Sequence, residues 1–190
     1  MNIYDEYPTS VQVDGKTYQL DLSYDNVLRV LDIQEDHVLT AVDRIEAQCV
    51  LLLARGKRDI PQSLQARQRL LNAIFELFPK PENSTGERYI DFHQDAQMIR
   101  TAFFRIGVDL LKDRIHIFQF LELLADLPSD TALMRTVEIR QKPIPKPTKD
   151  NAEQIAALQK AKARVQIKMS EDERRKRFAE SLKNSNVLRG

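Results

Sequence analysis

The sequence of 190 residues contains no tryptophan, one cysteine and five glycines, and only 7% of it is aromatic. So few aromatics argue against an aromatic-rich β-sandwich and favour aliphatic helical packing. The scarcity of glycine argues against phosphate-cradling loops and against a fold built on many tight turns. A lone Cys49 permits no internal disulfide and fits a reducing cytosol. No apolar stretch approaches the roughly 18–20 residues of a membrane span. The longest candidate, "IHIFQFLELLADL", is broken by Gln119 and Glu122. The opening "MNIYDEYPTS" is acidic and carries no apolar run, so no secretory leader is expected there.

Catalytic signatures are also missing. The histidines stand at 37, 93 and 116, with no pair at i, i+4 and no His-Glu-x-x-His pattern. No metal site or cofactor is expected from such a set. "DFHQD" gathers Asp91, His93 and Asp95, which in principle offers an acid–histidine general base. Helix capping by Asp91 explains the same residues with fewer assumptions. His37 and His93 read as first-turn helix residues, His116 as a packed or surface residue, and Cys49 as a core residue on an apolar stripe. No nucleophile elbow is present, so no enzymatic activity is expected.

What the chain does have is a charge asymmetry hidden by a net charge of +1. Residues 1–140 hold 16 basic and 22 acidic residues, whereas residues 141–190 hold 13 basic and 6 acidic ones. The halves therefore carry −6 and +7. The changeover falls at "IRQKPIPKPTKDN", where Pro143, Pro145 and Pro147 alternate with single residues. Alternating prolines fix φ, remove amide donors and favour an extended path. A hydrophobic fraction of 42% is enough for a core. The domain expectation is a hairpin plus helical body over residues 1–140, a proline-rich strap over 141–149 and a basic helical extension over 150–190 with a frayed end.

The fold class expected is mainly α, a bundle-like body with a small N-terminal β-hairpin. "SVQVDGKTYQLDL" alternates about Asp14-Gly15, a dipeptide suited to a two-residue type I′ turn. That register pairs Val13 with Lys16 and Val11 with Tyr18, and puts Val11, Val13, Tyr18 and Leu20 on one face. Helical periods then follow. Ser23 caps a helix with Val27, Leu28 and Leu31 inward. A longer helix runs from about His37 to Ala54, burying Val38, Val42, Ile45, Cys49, Leu52 and Leu53, with Gly56 as its C-terminal cap. Pro61 opens a third helix with the stripe Leu64, Leu71, Ile74, Phe75 and Phe78. "KPENSTGERY" is a loop by composition. Asp91 and Gln94 form a capping box for a helix burying Ala96, Ile99, Ala102, Phe103, Ile106 and Leu110, with Gly107 shortening it. The next helix carries Ile115, Phe118, Leu121, Leu124 and Ala125. Ser129 or Asp130 caps another bearing Leu133, Met134 and Val137. Beyond the strap, Asp150 with Glu153 opens an Ala-rich helix carrying Ile155, Leu158, Val165 and Ile167, and Ser170 with Glu173 begins a last segment.

Three stretches stand out together. A DF-x-x-DA helix entry and a G-x-DL lie in "DFHQDAQMIRTAFFRIGVDLL". An F-x-x-LL-x-x-LP-x-DT run and an Ile-Arg pair lie in "FQFLELLADLPSDTALMRTVEIRQKPIPKPTK". The Ala-rich basic helix "NAEQIAALQKAKA" follows. In these the chain resembles the phage gene-product-fifteen family over about residues 1–168, most strongly from 89 to 165. Asp150 and Ile117 stand where the family often has Tyr and an aromatic. The resemblance implies a helical, non-enzymatic protein of long-tailed phages and prophages of Gram-positive bacteria, encoded just before the tape measure protein. It further implies a tail assembly chaperone, working in the host cell cytoplasm, that coats the tape measure protein and recruits tail tube subunits. The alternatives are a structural tail or neck component retained in the virion, and a nucleic-acid-binding module through the basic run at 174–177. Nucleic acid is the less expected partner, because only Phe178 interleaves an aromatic with that run.

The partners expected are the tape measure protein, the tail tube protein and further copies of the chain, with no membrane involved. The residues expected to bind them are Pro143, Pro145, Lys146, Pro147, Lys149, Ile155, Leu158, Arg174, Arg175 and Arg177. Acidic body and basic extension suit head-to-tail contact, which propagates as an open spiral.

Overall fold

Asp14 and Gly15 both adopt positive φ, at 52° and 76°. This is the type I′ geometry that a right-twisted hairpin requires. It joins β1 (Ser10–Val13) to β2 (Lys16–Gln19) in an antiparallel pair with Val13 opposite Lys16 and Val11 opposite Tyr18. Tyr18 and Leu20 are buried while Gln12, Thr17 and Gln19 are exposed, so register and face agree with the sequence reading. A computed structural model describes residues 6–79, 88–148 and 151–168. The fold is mainly α, with seven α-helices among the described residues and the N-terminal hairpin.

The chain divides into two units. The first takes residues 1–87 and 100–127, the second residues 88–99 and 128–190. In the first, the strand path continues past β2. Asp21 N donates to Leu52 O at 2.9 Å and Ala54 N to Gln19 O at 3.0 Å. Tyr24 N donates to Ile115 O and Ile117 N to Leu22 O, at 3.0 and 2.8 Å. Residues 19–24 thus form an extended spine bonded to two other segments, which satisfies backbone groups that burial would otherwise leave unpaired.

Four helices pack around this spine. Helix α1 (Tyr24–Glu35) buries Asn26, Val27 and Val30; Leu31 is exposed, so the inward stripe is set by Val30. Ser23 occupies its N-cap without a side-chain capping bond, since its Oγ accepts from Arg114 instead. Helix α2 (Ala41–Leu52) is shorter than the periodicity suggests. Thr40 accepts from Asp43 N and donates to the Asp43 carboxylate, a reciprocal cap that starts the helix there. His37 and Val38 consequently lie outside it, and Val42 is exposed. Gly56 has the expected positive φ, 53°, but it opens a short 3-10 turn at Gly56–Arg58, three residues past the C-cap Leu53. Helix α3 (Leu64–Phe75) is capped by Ser63, not opened by Pro61, and buries Leu70, Leu71 and Ile74 while Leu64 and Phe75 are exposed. Helix α5 (Ile117–Ala125) buries Ile117, Phe120 and Leu124. Its stripe is one residue off the expected Phe118 and Leu121, because the helix starts at the His116 cap.

Helix α4 (Ala96–Arg105) begins in the second unit and ends in the first. Gly107 at φ 88° ends it. Val108 N donates to Phe103 O and Gly107 N to Phe104 O, the paired bonds of a Schellman motif. The core of the first unit is an aromatic stack. Phe103 lies 4.9 Å from Phe120 at 14°, and Phe120 lies 5.0 Å from Tyr24 at 12°. Cys49 is fully buried, and burial pushes its thiol up to about 11, consistent with a core residue.

His116 Nδ1 accepts from Phe118 N at 3.2 Å, while Nε2 faces Pro8 O at 3.2 Å. The Tyr7 ring stacks on it at 4.9 Å. Burial lowers the His116 pKa below its usual 6.5, against an upward pull from Pro8. A depressed histidine favours the folded state when neutral, so that contribution is complete above 6.5 and is lost as pH falls through the folded value. Protonating Nδ1 would also remove the capping acceptor. The urea midpoint should therefore drop between pH 7 and pH 5, and His116→Asn, which caps but does not titrate, should flatten that drop. An unchanged slope in the variant would refute the assignment.

Candidate functional site

Helix α6 (Ala132–Gln141) starts at Thr131, whose Oγ1 accepts from Met134 N at 3.2 Å. Ser129 and Asp130 lie just upstream and do not occupy the cap. The helix buries Leu133 and Val137 and ends by presenting Arg140. Residues 142–148 then form neither helix nor strand, and all of them are exposed. Their hydrogen bonds to described residues are local. Lys142 N donates to Glu138 O, Thr148 N donates to Asn151 Oδ1, and Asn151 Nδ2 donates to Lys146 O. Asn151 occupies the N-cap of α7 (Ala152–Val165).

The last turn of α7 lies beside the last turn of α6. Arg140 Nε donates to Val165 O at 2.6 Å, and Lys162 Nζ donates to Arg140 O at 2.7 Å.

Arg140 holds this junction together. Its guanidinium forms a two-pronged pair with Asp95, Nη1 to Oδ2 at 2.5 Å and Nη2 to Oδ1 at 2.9 Å. Nη1 also donates to Tyr89 O at 2.7 Å. The two side chains are 6% and 0% exposed. The planar fork of arginine suits this bidentate geometry, and lysine could not reproduce it. Asp95 Oδ2 further accepts from Asp91 N at 3.0 Å. One buried ion pair therefore joins the turn at 89–95, the end of α6 and, through Arg140, the end of α7.

A second clasp lies alongside. Gln94 Nε2 donates to Gln166 O at 3.0 Å, and Lys168 N donates to Gln94 Oε1 at 2.9 Å. Gln94 thus holds the chain after α7 instead of closing a capping box. Asp91 caps the turn before α4, its Oδ1 accepting from His93 N and Gln94 N. Burial would raise the Asp91 carboxyl, but those two amides and Arg88 outweigh it and leave it lowered. "DFHQD" is thus a capped turn and a buried anchor.

Among the expected partner-binding residues, Pro143, Pro145, Lys146 and Pro147 are exposed along the strap, and Ile155 and Leu158 are half-buried on α7. Lys149, Arg174, Arg175 and Arg177 lie outside the described residues, as do Asp150 and the segment opened by Ser170. Asp95 and Arg140 were not among the expected binding residues, although the DF-x-x-DA entry and the Ile-Arg pair each contain one of them. Among the described residues no group of three metal-ligating side chains occurs, and no helix is long and apolar enough to cross a membrane.

Residues 3–167 match the family model described as Bacteriophage Gp15 protein, a span that includes both clasps and the strap. No curated protein and no solved structure matches the chain. With the match covering most of its length, the chain belongs to the bacteriophage Gp15 protein family and is a phage structural or morphogenesis protein.

Proposed function

We propose that this protein is a tail assembly chaperone. It covers the tape measure protein in the host cytoplasm and helps recruit tail tube subunits, without enzymatic activity. Family membership supports a morphogenetic role. The observation that favours a covering role is the exposure of large apolar side chains: Val38 is 92% exposed, Leu111 76% and Phe104 69%. Apolar side chains left in water at these positions are available to an apolar partner. A long helical rod would aggregate while uncovered, and many small copies holding it weakly gain avidity through linked contacts.

Co-expression with the tape measure protein encoded downstream tests this. The rod should be recovered in a soluble complex with the chaperone and should precipitate when expressed alone. Mass spectrometry of mature particles should find no chaperone. Its presence at tail stoichiometry would instead assign it as a component retained in the virion.

A further inference from the structure

We propose that α7 is exchanged between copies of this chain, the helix of one copy seating on the Gln94, Asp95 and Arg140 clasp of the next. The inference concerns contacts between identical chains and does not depend on the client proposed above.

The clasp reads main-chain atoms. Arg140 reaches Val165 O, Gln94 reaches Gln166 O, and Lys168 offers its amide N to Gln94. The fourth bond runs the other way, from Lys162 Nζ to a main-chain oxygen of α6. Each of these bonds forms equally well with another copy's helix, because the partners are the same atoms. Seating is also shallow, since no residue of α7 is fully buried, and Ile155, Leu158 and Val165 are only half-buried. Releasing α7 therefore costs a few hydrogen bonds and a modest apolar contact, while the Asp95–Arg140 pair stays with the body.

The strap supplies the hinge. All of residues 142–148 are exposed, and among the described residues their hydrogen bonds go to Glu138 and Asn151. Prolines at 143, 145 and 147 oppose a compact turn and favour extension. Domain swapping is a low-cost route to association when the connecting segment gains little from its closed path. Because the seat and the helix are different surfaces, exchange is heterologous. Each copy gives one helix and receives one, so the exchange either closes as a reciprocal pair or continues along a row of copies. The charge split favours the same arrangement, with a +7 segment leaving a −6 body.

The test uses the full chain. One tagged copy carries p-benzoylphenylalanine in place of Ile167, which lies between Gln166 and Lys168. It is co-expressed with a native copy bearing a different tag. Irradiation should give a covalent product carrying both tags, with the link mapped to residues 88–99 or 132–141 of the native copy. Links confined to the photoreactive chain would overturn the proposal. Light scattering gives a second reading that needs no unnatural residue. The native protein should have a mass at least twice that of one chain, and the full chain carrying Gln94→Ala and Lys162→Ala, which lacks three of the four bonds, should shift towards a single mass. A native protein that is monomeric at every concentration, or a double variant that keeps the full assembly mass, would equally overturn it.

Discussion

Replacing Arg140 with alanine should cost about 3–5 kcal/mol, because it strands a fully buried carboxylate. Asp95 would keep only the amide of Asp91 as a described hydrogen-bond donor, and Tyr89 O and Val165 O would each lose a donor. Arg140→Lys should be intermediate, since it keeps the charge and loses the fork. Asp95→Leu with Arg140→Met, which removes both charges, should be far milder than either single change, as apolar replacement of buried pairs often is. The damage should be local. Hydrogen exchange by mass spectrometry should show lost protection over residues 152–168 and near-native protection in α2 and α3. Protection of α7 that survives Arg140→Ala would show that the ion pair is not what seats it.

The second large effect lies in the other unit. Phe103→Ala should cost about 3–5 kcal/mol, read as a shift of the urea midpoint. Phe103 is fully buried, and its ring stacks on Phe120, which stacks on Tyr24. Removing the ring leaves a cavity and also the exposed face of a stack that contributes beyond its buried area. Phe104, its immediate neighbour, is mostly exposed, so Phe104→Ala should shift the midpoint little. Near-equal effects of the two would mean that this stack is not the core. Against a total stability of about 5–15 kcal/mol for a typical domain, either large change consumes a substantial fraction.

These two predictions differ in how far the sequence announces them. Phe103 belongs to a helical period that any reading of residues 96–110 finds, and Gly107 marks where that period stops. The hairpin was legible in full, because Asp14-Gly15 fixes turn type and register within two residues. Helix starts were harder to place. Ser129, Asp130 and Thr131 are all competent caps, and only the direction of the Thr131 side chain decides among them. His37 to Leu39 carry on the apolar rhythm of α2, yet Thr40 and Asp43 satisfy each other and begin the helix later.

The Asp95–Arg140 pair was not legible at all. The partners are 45 residues apart, and nothing local distinguishes a charge that will be buried from one that will be solvated. The recurring "DA" and "IR" dipeptides were visible singly as marks of the family. What links them is a three-dimensional coincidence of two helix ends with the turn at 89–95. The alternating prolines of the strap were visible in the sequence, whereas the bonds that bring the end of α7 back to Arg140 were not.

A clasp that grips carbonyls and amides has one more consequence. It places little demand on the identity of outward-pointing positions such as Glu153, Gln154, Ala157 and Lys160, all of which are solvent-facing. The arm can thus be rewritten along that side, altering what it meets in the surrounding fluid, while the grip that anchors it stays the same.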